Sequence, residues 1–416
     1  MKQEDLSINA PCSFECTGCS VCKVVCPVEG CIDISLDSDG YLFAESNPET
    51  CINCNRCQEV CFKFQDKFDL EFSNPLDVYI GTNVDQEIHY HSSSGGITTA
   101  LLESAIDLGY IVIGAEFDTN TNRVHHVFIE KKEDLHRIRG SKYLPSITFD
   151  AFEKIDKNKK YVVVGTPCQI GGLAKMKKQN KGFDDLLLID FRCFGHPGYN
   201  LFDKYLDFLQ TEVNNSGIRH INMRSKEINW HRWGVSLEFN DGEKYYNSKF
   251  KDPFAAAFIT GQSVHDVCLN CDEYKNNTHA DIRVEDAWAF VGGQTGDKLK
   301  NGLSQIGIFS KKGSELFRYA QKKMEIQKVD FDYSLGEWMK VQREKTFMND
   351  LQDKELSLKE VLERFWEANP YKKRTHVWQW LNTHKIYTEY LRHLPKPLKE
   401  KFIDIAVYLF MDLKKS

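Results

Sequence analysis

Two identical cysteine motifs near the start of the chain constrain its fold more than any other feature. Each has the spacing C-x2-C-x2-C-x3-C, and the second begins 35 residues after the first. Three thiolates two residues apart can bind one cubane cluster, and we expect the fourth cysteine, at the start of the next helix, to point to the other cluster. One [4Fe-4S] cluster is therefore assigned to Cys16, Cys19, Cys22 and Cys61, and the other to Cys51, Cys54, Cys57 and Cys26.

Structural zinc sites are the main alternative for these cysteines. Four-cysteine zinc sites use paired C-x2-C knuckles separated by a longer gap, so a triple spacing has one thiolate too many. Residues 12–65 resemble bacterial two-cluster ferredoxins, although Phe62 stands where Pro commonly follows the last ligand. We expect Phe62 to alter the solvent exposure and the reduction potential of the cluster but not the binding of its iron by the cysteines. Cys12 and Cys31 lie outside the repeat and are expected to be buried thiols rather than further ligands.

Charge and hydropathy exclude several classes of protein. The 416 residues carry 54 basic and 60 acidic side chains, a net charge of −6 with interspersed signs. A basic face that could follow a phosphate backbone is absent from this pattern, so nucleic acid is not an expected partner. The first residues form no apolar signal segment and no apolar run is long enough for a transmembrane segment, which predicts a cytoplasmic protein. In a reducing cytoplasm, 14 cysteines are expected to bind metal rather than form disulfides.

Composition divides the chain into three predicted domains. Ten of the 14 cysteines precede residue 62, and the next is Cys168, which places a boundary near Pro75. We predict a small α+β cysteine-rich domain over residues 1–75, an α/β domain over 76–330 and an α-helical C-terminal region over 331–416.

Periodicity places elements within these domains. Short β-branched runs predict buried strands at 110–115, 161–164 and 186–189, and amphipathic spacing predicts helices at 97–108 and 170–179. Their alternation indicates a partly parallel sheet. Further helices are predicted at the C-terminus, at 356–366, 375–391 and 398–413. We expect the last helix to dock on the protein, with a membrane surface or a partner as the alternative.

Four cysteines outside the repeat are candidates for another metal site. Cys168 and Cys193 each follow a predicted strand, at the edge where ligands collect in open α/β sheets. Cys268 and Cys271 form a C-x2-C pair that could complete the set. Taken alone, Cys168 and Cys193 are more often buried core thiols and a single C-x2-C pair can be half of a zinc site, so the residues by themselves leave open whether the four share a site.

Four motifs in the middle domain carry a family resemblance. They are Ser-Gly-Gly-Ile-Thr-Thr-Ala-Leu at 94–101, Arg-Gly-Ser-Lys-Tyr at 139–143, Gly-Thr-Pro-Cys-Gln at 165–169, and the C-x2-C pair followed by Ala-Asp-Ile at 280–282. Residues 76–330 resemble the beta subunit of coenzyme F420-reducing hydrogenase and its relatives, which include F420-dependent dehydrogenase subunits and chlorophyll-pathway reductases. The resemblance implies a third [4Fe-4S] cluster, next to an FAD, on Cys168, Cys193, Cys268 and Cys271.

A flavin suits such a chain because it converts single electrons from clusters into the electron pairs that most organic substrates require. The serine- and glycine-rich segment at 92–96 precedes a predicted helix. The positive N-terminal end of that helix suits a pyrophosphate. Such a segment is, however, more often only a helix cap. With the resemblance, the expected FAD contacts are Ser93, Ser94, Gly95, Gly96, Thr98, Gly140, Ser141, Lys142, Tyr143 and Thr166.

Catalytic residues are not identified by the sequence. His125, His126 and His231 are candidate proton donors, although histidines in such positions are mostly structural or exposed. Relatives commonly carry Gly-Asp where this chain has Glu285-Asp286. We expect the Glu285 carboxylate to narrow the pocket or to repel an anionic ligand.

The leading hypothesis is an oxygen-sensitive iron-sulfur flavoenzyme. It would take electrons through its N-terminal clusters, for example from ferredoxin, and reduce a small substrate at FAD, or run in reverse from a reduced deazaflavin. The alternatives are a non-enzymatic electron-transfer subunit of a larger complex, a reductase of cell-surface polysaccharide biosynthesis, and a zinc-stabilised binding module.

Overall fold

The computed structural model describes residues 16–61, 74–180, 182–269, 271, 278–288, 290, 300–330, 345–369, 395 and 398. The chain divides into two compact units. The first comprises Met1–Tyr199 and Val264–Lys340, and the second comprises Asn200–Ser263 and Val341–Ser416. None of the helices in the described parts of the chain has the length and apolar character that crossing a bilayer requires.

The cysteine repeat folds into two short helices separated by a hairpin. Helix α1 (Val21–Val25) leads to strands β1 (Ile32–Leu36) and β2 (Leu42–Ser46), which pair antiparallel, and α2 (Arg56–Val60) follows. The remaining strands in chain order are β3 (Asp77–Asn83), β4 (Ile111–Asp118), β5 (Arg123–Ile129), β6 (Ser146–Ile147), β7 (Tyr161–Gly165), β8 (Leu186–Asp190), β9 (Ile218–Ser225), β10 (Gly234–Phe239), β11 (Lys244–Ser248), β12 (Ile282–Asp286), β13 (Ser304–Ile308) and β14 (Met324–Val329).

The remaining helices of the described residues follow the same numbering. They are α3 (Gln86–His91), α4 (Ile97–Asp107), α5 (Leu135–Ile138), α6 (Phe149–Phe152), α7 (Pro167–Gln179), α8 (Tyr199–Glu212), α9 (Pro253–Ile259), α10 (Asp266–Leu269), α11 (Lys311–Ala320), α12 (Lys345–Gln352) and α13 (Leu358–Ala368).

A mixed sheet organises the first unit. In the described residues it has nine strands in the order β14-β3-β13-β12-β8-β7-β4-β5-β6. The pairs β4–β7, β7–β8, β8–β12 and β5–β6 are parallel, and the others are antiparallel. All five side chains of β8 are buried, as expected for a strand covered on both faces. The prediction of an α/β region with a partly parallel sheet is therefore confirmed.

The elements predicted for this region are also confirmed, with two boundaries displaced by three residues, since β4 continues to Asp118 and α7 starts earlier. Strands β4, β7 and β8 and helix α4 lie where periodicity placed them. Helix α7 begins at Pro167, three residues earlier than predicted, because Thr166 caps it and the Gln169 side chain accepts a hydrogen bond from the Thr166 amide. Pro at the first helical position and a capped N-terminus are the signals that mark this start.

The two faces of the sheet have different cores. Side chains of α4 and α11 cover one face. Side chains of α6 and α7 cover the other, together with Val21 of α1 and Val60 of α2, which are fully buried against Ile170 and Leu173. The cysteine module therefore packs into the same core as the sheet. The three-domain division drawn from composition describes residue usage rather than packing, and it stays a prediction.

The second unit contains an antiparallel sheet that sequence reasoning missed. Strands β11, β10 and β9 pair in that order, within residues assigned to the middle domain. Helix α13 confirms the helix predicted at 356–366, and it begins with a capping box in which the Ser357 amide donates to the Glu360 carboxylate at 2.8 Å. The helix predicted at 375–391 lies outside the described residues, as does the one at 398–413 apart from Leu398.

Replacing Leu173 by Ala should loosen the cysteine module. Leu173 is fully buried between α7 and that module, so its truncation should lower the free energy of unfolding by about 2–5 kcal/mol. The matched control is Leu316→Ala in α11, which is buried on the opposite face of the sheet. Urea unfolding should show similar losses for both variants, but a chelator should remove iron faster only from the Leu173→Ala protein. Equal rates of iron loss would contradict this packing account.

Candidate iron-sulfur and flavin sites

The two cysteine loops share an unusual backbone. Gly18 and Ser20 adopt positive φ in the first loop, and Asn53 and Asn55 do so at the equivalent positions of the second. Residues with left-handed backbone conformation, alternating with right-handed ones, turn successive backbone N–H groups towards the same side of the loop. The resulting concave surface binds anions and is found at many iron-sulfur sites. A left-handed Ser is strained and indicates a functional loop. The sequence repeat is thus also a repeat of backbone conformation.

The fourth cysteine of each motif differs from its predicted position. Cys26 and Cys61 follow the C-terminal ends of α1 and α2 and are extended, rather than starting a following helix. Pro27 gives the physical reason in the first motif, because the residue before a proline is excluded from helical geometry. Phe62, where the family pattern has Pro, lies outside the described residues.

One set of thiols gathers around Cys22. Burial, followed by the charges of Cys19, Cys16 and Cys61, raises the pKa of the Cys22 thiol well above its ordinary value. Such charge effects fall off with distance, so Cys61 of the second motif lies beside the first three cysteines of the first motif. These four were assigned to one cluster, and their binding of iron stays a prediction.

The other motif forms a second set that includes one exchanged cysteine. Cys26 lines a common pocket with Cys51, Cys54 and Cys57. Burial raises the pKa of Cys57 to about 11, and the charges of Cys54 and Cys26 act in the same direction. Cys54 is exposed whereas the other three are partly buried. The pocket therefore combines the thiols that we assigned to the second cluster.

Cys31 lines the same pocket but is buried, with its Sγ 3.8 Å from the Asn47 carbonyl oxygen. This position agrees with the prediction of a buried thiol near a cluster. Cys12 lies outside the described residues.

A third set forms where β8 ends and α7 begins. Cys168 lies in the first turn of α7 and Cys193 follows β8, while Cys268 lies in α10. Burial, and then the charges of Cys193, Cys168 and Cys271, raises the pKa of Cys268. The structure therefore brings together all four cysteines that were dispersed in the sequence.

The first and third sets are neighbours. Burial and then the charge of Cys168 are the leading causes that raise the pKa of Cys19. A Cβ atom placed on Gly172 of α7 would lie 3.7 Å from the Cys19 Sγ. The charge of Cys57, which belongs to the second set, is among the causes that raise the pKa of Cys22 in the first set. The first set is therefore close to one cysteine of the second set and to one cysteine of the third.

The binding of iron-sulfur clusters by the three cysteine sets stays a prediction that follows from the chemistry of their thiols. Within the described ranges, no three or more side chains of His, Cys, Asp or Glu are close enough to bind a single metal ion. In a cubane each thiolate binds a different iron, so its ligands surround a wider space than those of one zinc ion. Adjacent buried thiols also resist joint ionisation unless a cationic group compensates, and cluster iron supplies that charge.

The serine- and glycine-rich loop before α4 is largely held by the protein itself. Ser94 Oγ donates to the Leu303 carbonyl at 2.7 Å, and the Gly95 amide donates to Ser304 Oγ at 2.9 Å. A Cβ on Gly95 would clash with the Gly81 carbonyl oxygen, so only glycine allows this approach. Gly96 caps α4 with φ of 80°. The two glycines therefore have a packing role whether or not a cofactor binds.

The two segments predicted to contact FAD meet at Ser93 and Ser141. Their hydroxyl oxygens are 2.8 Å apart, and the Ser141 amide donates to Ser93 Oγ at 2.7 Å. Thr98 and Tyr143 are half-buried, and Gly140 has a left-handed backbone. Thr166 lies by the third cysteine set instead, with its hydroxyl 3.1 Å from Cys168 Sγ.

Two cations stand beside this serine pair. Lys142 Nζ donates to the carbonyls of Arg137, Arg139 and Gly140 at 3.3, 2.9 and 3.3 Å. Burial lowers the pKa of Lys142 to about 7 and also lowers the pKa of Arg139. Arg139 Nε is buried and has no hydrogen-bond partner among the described residues. Arg139 was not among the predicted contacts, although it opens the Arg-Gly-Ser-Lys-Tyr motif that could have indicated it.

His126 is excluded as a proton donor. Its Nδ1 is 2.7 Å from Ser146 Oγ and its Nε2 is 3.0 Å from the Val164 carbonyl oxygen, so both ring nitrogens have structural partners. Burial lowers its pKa to about 4, which keeps the ring neutral at physiological pH. His125 is half-buried on the same strand, and His231 of the second unit contacts the Trp230 ring at 5.2 Å. A proton-donating role for these two stays a prediction.

Glu285 does not present an isolated negative charge. Its buried carboxylate accepts from Arg192 Nε and from Gln305 Nε2, the latter at 2.7 Å. Because Arg192 neutralises the carboxylate, the expected repulsion of an anionic ligand is not supported. The pair instead anchors the residue directly before Cys193.

A second ion pair reinforces the same region. Asp190 and Arg283 are fully buried and form two parallel hydrogen bonds of 2.8 and 2.7 Å, and Thr278 Oγ1 adds a third at 2.7 Å. Asp190 ends β8 before Cys193, and Thr278 follows the C-x2-C pair in the chain. The network therefore joins the two segments that carry the third cysteine set.

Stability should depend on the pH through His126. The pKa of His126 is about 4 in the folded chain and near 6.5 in the unfolded chain. Because protonation therefore favours the unfolded chain, the contribution of His126 to the free energy of unfolding is complete above pH 6.5 and is lost as the pH falls towards 4. At pH 5 the loss should be about 2 kcal/mol relative to pH 7. Denaturant unfolding of His126→Gln should show a weaker pH dependence by that amount, whereas His125→Gln should match the parent chain. Identical pH profiles for all three proteins would contradict the assignment.

Comparisons with known proteins identify the family of this chain. Residues 78–153 match the model for the N-terminal part of the coenzyme F420 hydrogenase/dehydrogenase beta subunit, and residues 158–333 match the model for its C-terminal part. The chain is 32% identical over 178 residues to a coenzyme F420-dependent sulfite reductase of Methanocaldococcus jannaschii. That match covers 39% of this chain and 25% of the relative, so the chain spans about a quarter of its length.

Two further similarities are weaker in identity but longer. An uncharacterized protein of the same organism is 23% identical over 338 residues, which is 73% of this chain and 86% of the relative. A chain of the F420-reducing [NiFe] hydrogenase complex from Methanosarcina barkeri has 18% identity and a TM-score of 0.42, over 63% of this chain and 84% of that chain. Because both halves of the family are matched in order along one chain, this protein belongs to the coenzyme F420 hydrogenase/dehydrogenase beta-subunit family.

Proposed function

We propose that this chain is an iron-sulfur flavoprotein that passes single electrons along three [4Fe-4S] clusters to or from an FAD. The observation that carries the proposal is the row of three four-thiol sets, in which the first set neighbours both others. A row of one-electron centres has a use only if electrons travel along it. The flavin would supply the conversion between single electrons and electron pairs.

Each set has a proposed role in this relay. The second set would exchange electrons with a redox protein such as ferredoxin, because Cys54 is exposed there. The first set would connect it to the third. The third set, on Cys168, Cys193, Cys268 and Cys271, would exchange electrons with the flavin.

We infer that the flavin's pyrophosphate lies at Ser93, Ser141, Arg139 and Lys142. Two cations that form no ion pair with the described residues, beside two hydroxyl groups, suit an anionic group of this kind. The two-electron partner would be coenzyme F420 or another small substrate. The family description and the name of the sulfite reductase relative support F420.

Replacing Cys268 by Ser should remove one cluster and interrupt the relay. The parent chain, purified without oxygen, should hold about 12 irons and as many sulfides, and the variant about 8. Reduced coenzyme F420 should bleach the flavin in both proteins. In the variant, the remaining clusters should stay oxidised, because the connection between them and the flavin is missing. The matched control is Cys31→Ser, a buried thiol outside the three sets, which should keep both iron and electron transfer.

This experiment has two contradicting outcomes. Zinc in place of iron in the parent chain would refute the cluster assignment. Reduction of the remaining clusters at an unchanged rate in Cys268→Ser would refute the order of the relay. Absorption spectra recorded in an anaerobic stopped-flow instrument distinguish flavin from cluster bleaching.

Replacing Lys142 or Arg139 by Met should weaken FAD binding. A hydrogen bond to a charged group contributes about 1.5–3 kcal/mol, so each change should raise the Kd for FAD by roughly tenfold to a hundredfold. Riboflavin, which lacks the pyrophosphate, should bind the variants and the parent chain equally. Lys131→Met, an exposed lysine of the same region, is the control. Equal weakening of FAD and riboflavin, measured by flavin fluorescence, would show that the cations do not bind the pyrophosphate.

A further inference from the structure

Lys175 lies between the helix that carries Cys168 and the first cysteine set. It is half-buried on α7, two turns after Cys168, and its Nζ donates to the Cys61 carbonyl at 3.3 Å. One turn earlier, Gly172 allows α7 to approach Val21 and Cys19 closely. The ammonium group is therefore held at the ligand that the second motif contributes to the first set.

Burial creates an electrostatic problem for the first set. Helix α7 packs at Gly172 against Cys19 and against Val21, which is fully buried beside Cys22, so protein rather than water covers this side of the set and negative charge is disfavoured there. Reduction adds one negative charge to a cluster, and burial therefore lowers its reduction potential. The second set, with the exposed Cys54, lacks this disadvantage. Without compensation, an electron on the second cluster would tend to stay there.

Lys175 supplies a compensating charge. Its Nζ is 3.3 Å from the carbonyl oxygen of Cys61, and Gly172 one turn earlier on the same helix faces Cys19, so its ammonium group attracts negative charge on two ligands of the first set. The attraction is mutual, so a protonated Lys175 stabilises negative charge on these sulfurs. In the same helix, Lys178 is exposed to solvent, where its charge is screened.

We propose that Lys175 raises the reduction potential of the first cluster and so allows electrons to pass between the exposed second cluster and the third. The inference rests on the proposed cluster assignment. In the step it concerns, the second cluster loses one electron and the first cluster gains it, with no bond formed or broken. Lys175 acts as a positioning charge and does not itself exchange electrons.

The test is an EPR-monitored redox titration of the full-length chain, with its clusters and flavin, as the parent and as Lys175→Met. Loss of the charge should lower the midpoint potential of one cluster only. We expect a shift of about 59 mV, which corresponds to a tenfold change in the electron distribution between the first and second clusters. Lys175→Arg retains the charge and should keep the parent potentials. Lys178→Met, on the same helix, should also keep them.

Three outcomes would overturn the proposal. The first is a set of unchanged potentials in Lys175→Met. The second is an equal shift in Lys178→Met, which would indicate a general charge effect. The third is loss of about four irons from both Lys175→Met and Lys175→Arg, which would make the lysine a structural residue. Failure of the proposed function differs from all three, because the parent chain itself would then lack clusters.

Discussion

The contact between helix α7 and the cysteine module is the interaction on which the rest of the site depends. Val21 and Val60 of the module share one core with Ile170 and Leu173 of α7. Gly172 permits the close approach that brings Cys19 near the start of the helix that carries Cys168. Two regions with very different composition therefore act as one body, and the separation of their sulfur atoms is set by apolar packing.

Charge compensation is the second principle of the site. Burial, and then neighbouring cysteines, raise the pKa values of Cys19, Cys22, Cys57 and Cys268, so negative charge on these sulfurs is disfavoured unless a cationic group compensates. Two ion pairs, the fully buried Asp190 with Arg283 and the partly buried Glu285 with Arg192, fix the segments around Cys193 without leaving net charge. Arg139 and Lys142 form no such ion pair among the described residues, and they are the position that we propose for the pyrophosphate of the flavin.

Local sequence patterns predicted the parts of this structure that local forces determine. The uninterrupted apolar runs of β7 and β8 are typical of strands buried on both faces, and the cysteine spacing predicted the exchange of Cys26 and Cys61 between the two sets. Features that depend on distant contacts were missed, including the three-stranded sheet of the second unit. Spacing alone could not show that Arg192 faces Glu285, since they are 93 residues apart.

Mössbauer spectroscopy of the full-length chain, grown with iron-57 and purified without oxygen, tests the central claim most directly. We expect all the protein-bound iron to belong to cubane clusters, because the twelve thiols of the three sets are assigned to [4Fe-4S] clusters. A spectrum dominated by single iron ions bound to four sulfurs, or a protein whose thiols bind zinc and no iron, would contradict it.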